Sequence, residues 1–201
     1  MAKPGYSRLG VEERREQLLA LGTELFARHS YDELSMAEIA RRAGVSKALV
    51  YHYFPSKQRY FEATLERGAR ELEGLTRPPE SGEPLERLSA SIEAFLGWIE
   101  TNAVAYSKLM QSATTGSEVR GLVERVRADT ARQILEGLGQ GPDPAPTVRT
   151  AVTGWLWFMD GACLDWVERR DMSRAALRDL LVATLTGALT AAAATAATNT
   201  G

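Results

Sequence analysis

LSMAEIARRAGVSKALVYHYFPSKQRYFEATL, Leu34 to Leu65, is the stretch that decides the fold. Ser35 with Glu38 has the spacing of a capping box and Leu34 with Ile39 that of a hydrophobic staple, so a helix is expected to begin at Met36. Met36, Ile39, Ala40 and Ala43 then share one face, and Gly44 supplies the positive φ that ends the helix in a tight turn. Ser46 caps the next helix, with Val45 stapled to Val50. Val50 and Phe54, one turn apart, point inward, which leaves Lys47, Ala48, Tyr51 and His52 together on the outward face. Pro55 stops this helix after about two turns, and Ser56 can cap a further helix opening with Lys57.

Two short helices joined by a Gly-containing turn make a helix-turn-helix, whose second member fits the major groove of B-DNA. On that reading Lys47 donates to guanine O6 and N7, Ala48 touches a thymine methyl, and Tyr51 and His52 meet base edges or phosphate. Ser35 and Lys57 lie at helix N-termini, where backbone N–H groups face phosphates, so both are assigned to backbone positioning, with Ser46 and Tyr53 as further candidates. The same residues also admit a purely structural reading, with the serines as caps, Tyr51 and Tyr53 as core aromatics and Lys57 as a solvated charge.

Charge is distributed in keeping with a nucleic-acid-reading head. The chain carries a net −2, yet residues 1–60 hold ten Lys/Arg against seven Asp/Glu and residues 61–201 hold fourteen against nineteen. Between Ile39 and Phe61 lie five basic residues and no acid. A short basic face on an acidic molecule is the electrostatic footprint expected of a DNA-binding unit, and a solvated helix surface shows the same run.

The string IARRAGVSKALVYHYFPSK resembles the N-terminal signature of the tetracycline-repressor family, with its Ile-Ala pair, Ala-Gly-Val-Ser, Tyr-x-x-Phe and following Lys. The resemblance covers about Leu18 to Leu65 in motif and the remaining helices in general architecture. It implies a three-helix DNA-binding head, a fourth helix leading to the body, and dimerisation through the last two long helices. By the same resemblance Lys47, Ala48, Tyr51 and His52 fall at base-contacting positions, and Ser35, Tyr53 and Lys57 at phosphate-contacting ones. Tyr53 departs from the His that many members place there, and a phenol can still donate to phosphate.

The rest of the chain reads as helix, with apolar residues recurring at three and four positions and no alternating strand pattern. An all-α protein is expected, divided into a helix-turn-helix domain over 1–55 and a ligand-binding and dimerisation domain over 56–201. The first helix should run from about Val11 to Arg28 and bury Leu18, Leu21, Gly22, Leu25 and Phe26. Loops are expected at Gly74–Pro84 and Gly139–Pro146, where prolines and glycines cluster. Two long helices follow, about Thr147 to Arg170 and Ser173 to Ala193, ahead of an Ala-rich tail expected to fray. The first is apolar on more than one face and the second sets leucines beside Ala183, Gly187, Ala188 and Ala191, the pattern of a self-complementary four-helix dimer contact or of a monomeric core.

A metabolite sensor needs a cavity in this body. Its candidate lining is Trp98, Tyr106, Met110, Trp155, Phe158, Met159, Cys163 and Trp166, suited to a small apolar effector, each also open to an ordinary core role. Asp160 has no basic residue three or four positions away, so it must find a partner on another helix, pair across the dimer or meet a ligand. The lone Cys163 lies in an apolar run and is expected to pack. With no 18-residue apolar run and no signal-like N-terminus, the protein is expected to be cytoplasmic, without a membrane partner.

Two histidines without metal-ligand spacing, no Gly-rich phosphate loop and no nucleophile elbow leave no catalytic residue, metal or cofactor to assign. The function expected is a regulator, acting as a repressor released from a palindromic double-stranded operator by its effector. The alternatives are a helical-bundle enzyme using Cys163 or Asp160 and an interaction module without DNA binding.

Overall fold

The computed structural model describes residues 10–29, 31, 33–115 and 117–198, all in α-helices and their connections, with no strand among them. The helices are α1 (Val11–Arg28), α2 (Met36–Arg42), α3 (Lys47–Tyr53), α4 (Lys57–Thr76), α5 (Pro84–Thr101), α6 (Ala103–Thr115), α7 (Ser117–Gly137), α8 (Pro146–Arg169) and α9 (Arg174–Thr198). The chain separates into two compact units, dividing after Gly68 within α4. The sequence expectation placed the division at 55/56, ahead of α4. The opening turns of α4 pack with the N-terminal unit because Tyr60, fully buried, and Phe61 join its core.

In the N-terminal unit, α1 buries Leu18, Leu19, Gly22, Leu25 and Phe26. Leu19 takes the place expected of Leu21, which is only partly buried against the same core. Aromatic rings knit α1, α3 and α4: Phe26 meets Phe61 with centroids 4.6 Å apart, and Phe54 meets Tyr60 at 5.0 Å, both edge to face. The Tyr60 hydroxyl donates to the Leu18 carbonyl at 2.6 Å. Gly22 permits this approach, since a β-carbon there would lie 2.8 Å from the same hydroxyl.

The C-terminal unit has its own core, built on Ile92, Leu96 and Ile99 of α5, Tyr106 and Met110 of α6, and the inner faces of α8 and α9. Pro146 starts α8, where a missing N–H is harmless. Its end is set by Arg170 in the left-handed region (φ 54°), whose N–H closes on the Trp166 carbonyl. On α9, Leu177, Leu181 and Leu185 recur every four residues and are buried. Arg174 adds contacts to α5 through Glu93 at 2.7 Å and Glu100 at 2.8 Å.

α9 continues to Thr198 instead of fraying near Ala193, because alanine is the strongest helix former and costs no side-chain entropy. Asn199 to Gly201 lie outside the described residues. By length and composition alone, Arg174–Ala196 is apolar enough to cross a membrane, a test that packed helices also pass.

Candidate nucleic-acid interface and sensing body

The turn between α2 and α3 follows from its residues. Gly44 takes φ +65°, and Val45 donates back to the Ala40 carbonyl at 3.0 Å, as a glycine-terminated helix requires. The helices α2, α3 and α4 each open on a serine cap: Ser35 Oγ accepts from Glu38 N, Ser46 Oγ from Leu49 N and Ser56 Oγ from Arg59 N, all at 3.1 Å. With Val50 fully buried and Phe54 3% exposed, α3 can present only its other face. Lys47, Ala48, Tyr51 and His52 are all exposed there, and the Lys47 ammonium stands 5.7 Å from the Tyr51 ring centroid. The structure thus gathers the four expected base-contacting residues on one solvent face.

The expected phosphate set is more varied. Ser35 and Ser46 are exposed, while Tyr53 is half-buried with its ring 5.3 Å from His52. Lys57 is half-buried and already engaged, donating to the Tyr31 carbonyl at 3.1 Å with its ammonium 4.1 Å from the Tyr31 ring centroid.

The capping box is only half formed. Glu38 gives its N–H to Ser35, but its carboxylate receives Arg41 at 2.8 and 2.6 Å and Arg42 at 2.7 Å. Those hydrogen bonds hold its pKa down at about 2. The acid-free run counted from Ile39 therefore has an acid folded against it from the turn before.

In the body, Asp160 finds its partner on α7. Arg127 Nε donates to Asp160 Oδ2 at 2.6 Å, and the Tyr106 hydroxyl donates to Oδ1 at 3.4 Å. Burial raises the Asp160 pKa against the pull of Arg127, and burial likewise raises those of Tyr106 and of Cys163, the latter to about 12. The Arg127 guanidinium also stacks 3.9 Å from the ring centroid of Trp157, a residue 58% exposed. Sequence reading named neither Arg127 nor Trp157. The signal available was Asp160 without a partner on its own helix, which announces a cation elsewhere but not which one.

The expected effector residues divide into three groups. Tyr106, Met110 and Cys163 are buried in one core with Trp98 and Met159 packed against it, close to Asp160. Trp155 and Trp166 are buried in the same core with their indoles already engaged, since Trp155 Nε1 donates to the Leu181 carbonyl at 2.9 Å and Trp166 Nε1 to the Met172 carbonyl at 2.9 Å. Phe158 stands apart, 42% exposed on the outer face of α8. A separate open groove of about 500 Å³, between Leu85, Ser89 and Glu93 of α5 and Arg178 and Val182 of α9, includes none of them. No group of three or more metal-ligating side chains occurs among the described residues.

A glycine-turned helix pair whose second helix exposes Lys47, Tyr51 and His52, followed by a separately packed helical body, defines a DNA-binding transcription regulator. Residues 18–64 match the family model for bacterial regulatory proteins of the tetR family, and residues 84–187 match the tetracyclin repressor-like C-terminal domain. The chain belongs to the TetR family. It is 30% identical over 186 residues to an uncharacterized HTH-type transcriptional regulator of Mycobacterium tuberculosis, covering 90% of each. It is 36% identical over 108 residues to the HTH-type transcriptional activator FasR of Mycolicibacterium smegmatis, covering 53% of this chain and 49% of FasR, so it matches about half the length of that relative. Among solved structures, a tetR-family transcriptional regulator from Streptomyces coelicolor superposes with TM-score 0.82 at 33% identity, over 92% of this chain and 84% of that one. These relatives are transcription regulators, which sets the enzyme reading aside.

Proposed function

We propose that the protein is a homodimeric, ligand-responsive repressor that occupies a palindromic operator and leaves it when a small apolar molecule binds the body. The observation that carries this reading is the outward face of α3, with Lys47, Ala48, Tyr51 and His52 exposed around buried Val50 and Phe54. Those four read bases, and Ser35, Ser46, Tyr53 and Lys57 fix the phosphates. One head covers one half-site, so two are needed about 34–36 Å apart.

The dimer face is assigned to the outer sides of α8 and α9, where Trp157, Phe158 and Leu180 are exposed large apolar residues. Gly154, Gly161 and Gly187 beside them have open space at their β-positions, so a second helix can come close. Phe158 is accordingly moved from the effector set to this face. The effector is assigned to the surroundings of Tyr106, Met110, Met159, Asp160 and Cys163, and it acts by binding more tightly to a head spacing that misfits the operator. A cytoplasmic location goes with a DNA target.

Footprinting on DNA flanking its own gene tests the reading. Protection of an inverted repeat, together with raised expression of a promoter fusion when the gene is deleted, is expected. Lowered expression on deletion would make the protein an activator, as FasR is named, and absence of any protected site would overturn the reading.

A further inference from the structure

We propose that Tyr31, in the connection between α1 and α2, is a positioning residue for DNA binding: it holds the Lys57 ammonium from two sides and aims it at the operator backbone. The inference rests on the reading of Lys57 as a phosphate contact. Its grounds are in the free head. A lysine side chain has four rotatable bonds, and fixing it on a phosphate normally costs that freedom at the moment of binding. Here the ammonium already donates to the Tyr31 carbonyl at 3.1 Å and lies 4.1 Å from the centroid of the ring of the same residue. An ammonium has three N–H donors, so the carbonyl leaves two for phosphate.

The holder is itself held. The Tyr31 ring packs on Phe61 with centroids 5.1 Å apart, and Phe61 packs on Phe26 at 4.6 Å. Phe61 lies one turn beyond Lys57 on α4, so the helix that carries the ammonium also carries the floor under the ring that seats it. The chain Phe26–Phe61–Tyr31–Lys57 thus links the buried core of the head to the first turn of α4. A cation seated on an aromatic face keeps its charge, so the seat changes where the charge sits and how freely it moves without removing it from the phosphate.

Tyr31→Leu in the full chain is therefore expected to weaken binding to cognate and random duplexes alike by about three- to tenfold, the scale of immobilising one rotamer-rich side chain at the moment of binding. The slope of log K against log salt should be unchanged, because the ammonium remains. Tyr31→Phe, which keeps ring and carbonyl, should restore affinity. Lys57→Met should lower the salt slope by about 0.9 per protomer, and Tyr31→Leu should then cost little more in that background. A full additional loss from Tyr31→Leu in the Lys57→Met protein would show a merely structural role and overturn the proposal. An unchanged slope for Lys57→Met would overturn both the proposal and the phosphate assignment beneath it, so the two failures are distinguishable.

A measurement on the unaltered protein covers the case in which Tyr31→Leu does not fold. The chain has four lysines, Lys3, Lys47, Lys57 and Lys108, so ¹³C-lysine labelling gives a short spectrum. Lys57 ε-CH2 protons shifted upfield by the ring, free and on DNA, are expected. Lys57 resonating with the unseated lysines in the complex would contradict the proposal.

Discussion

Tyr60 and Leu18 are joined by a 2.6 Å hydrogen bond from phenol to main-chain carbonyl, 42 positions apart in sequence, and Gly22 lies one helical turn beyond Leu18. A β-carbon on Gly22 would meet the Tyr60 hydroxyl at 2.8 Å and crowd Thr64, both buried. Gly22→Ala gains about 1 kcal/mol of helix propensity but overpacks a rigid contact. A net loss of about 1–2 kcal/mol is expected in denaturant unfolding, whereas Tyr60→Phe should cost about 1 kcal/mol. A stabilised Gly22→Ala protein would contradict the close approach.

Arg127 and Asp160 form a partly buried pair, with side chains 17% and 14% exposed. Arg127→Leu leaves the carboxylate without its cation, and a loss of about 3 kcal/mol at pH 7 is expected. The pH dependence gives the sharper check. Burial raises the Asp160 pKa in the folded state and Arg127 lowers it, so the variant pushes it higher still. The folded protein then holds a proton the unfolded chain has released, and stability falls as pH rises from about 4 towards the folded pKa. Melting temperatures of Arg127→Leu should decline over that interval more steeply than those of the unaltered protein. Parallel profiles would refute the coupling.

The α2–α3 turn and the Arg127–Asp160 pair differ in how far the sequence reveals them. The α2–α3 turn is local: Gly44, two serine caps and the Val50/Phe54 pair are read within 20 residues, and backbone sterics leave little choice. The Arg127–Asp160 pair spans two helices 33 positions apart, and no local spacing picks Arg127 from its neighbours Arg120, Arg125 and Arg132. Phe158, named as a lining candidate for its aromatic ring, is 42% exposed. Because α8 is apolar around its circumference, the pattern shows that both sides are covered without saying which faces inward. Lys57 was legible as a charge at a helix start, but its seat on Tyr31 depends on how a connection folds back, which residue spacing does not encode.

The exposed face of α8 and α9 gives a prediction on assembly. Phe158→Glu combined with Leu180→Glu places charges on residues 42% exposed in the protomer, so the subunit should fold while the dimer weakens. Sedimentation should show a helical monomer with strongly reduced operator affinity. A dimer of unchanged stability would move the interface elsewhere.

Cys163 is fully buried, with its thiol pushed up to about 12 by desolvation. Almost no thiolate is present at pH 8, so a thiol reagent should label the native protein only after denaturation. Stoichiometric labelling of the folded protein within minutes would show that the core opens at Cys163.

The central claim is that α3 enters the major groove with Lys47 at its leading end. Methylation interference on a duplex selected from a random pool by the full-length protein tests it most directly, because guanine N7 lies in that groove. Methylation of at least one guanine in each half-site should block the unaltered protein, and Lys47→Ala should lose sensitivity at one symmetric pair while tolerating other bases there. Tight binding indifferent to N7 methylation at every guanine would contradict the account.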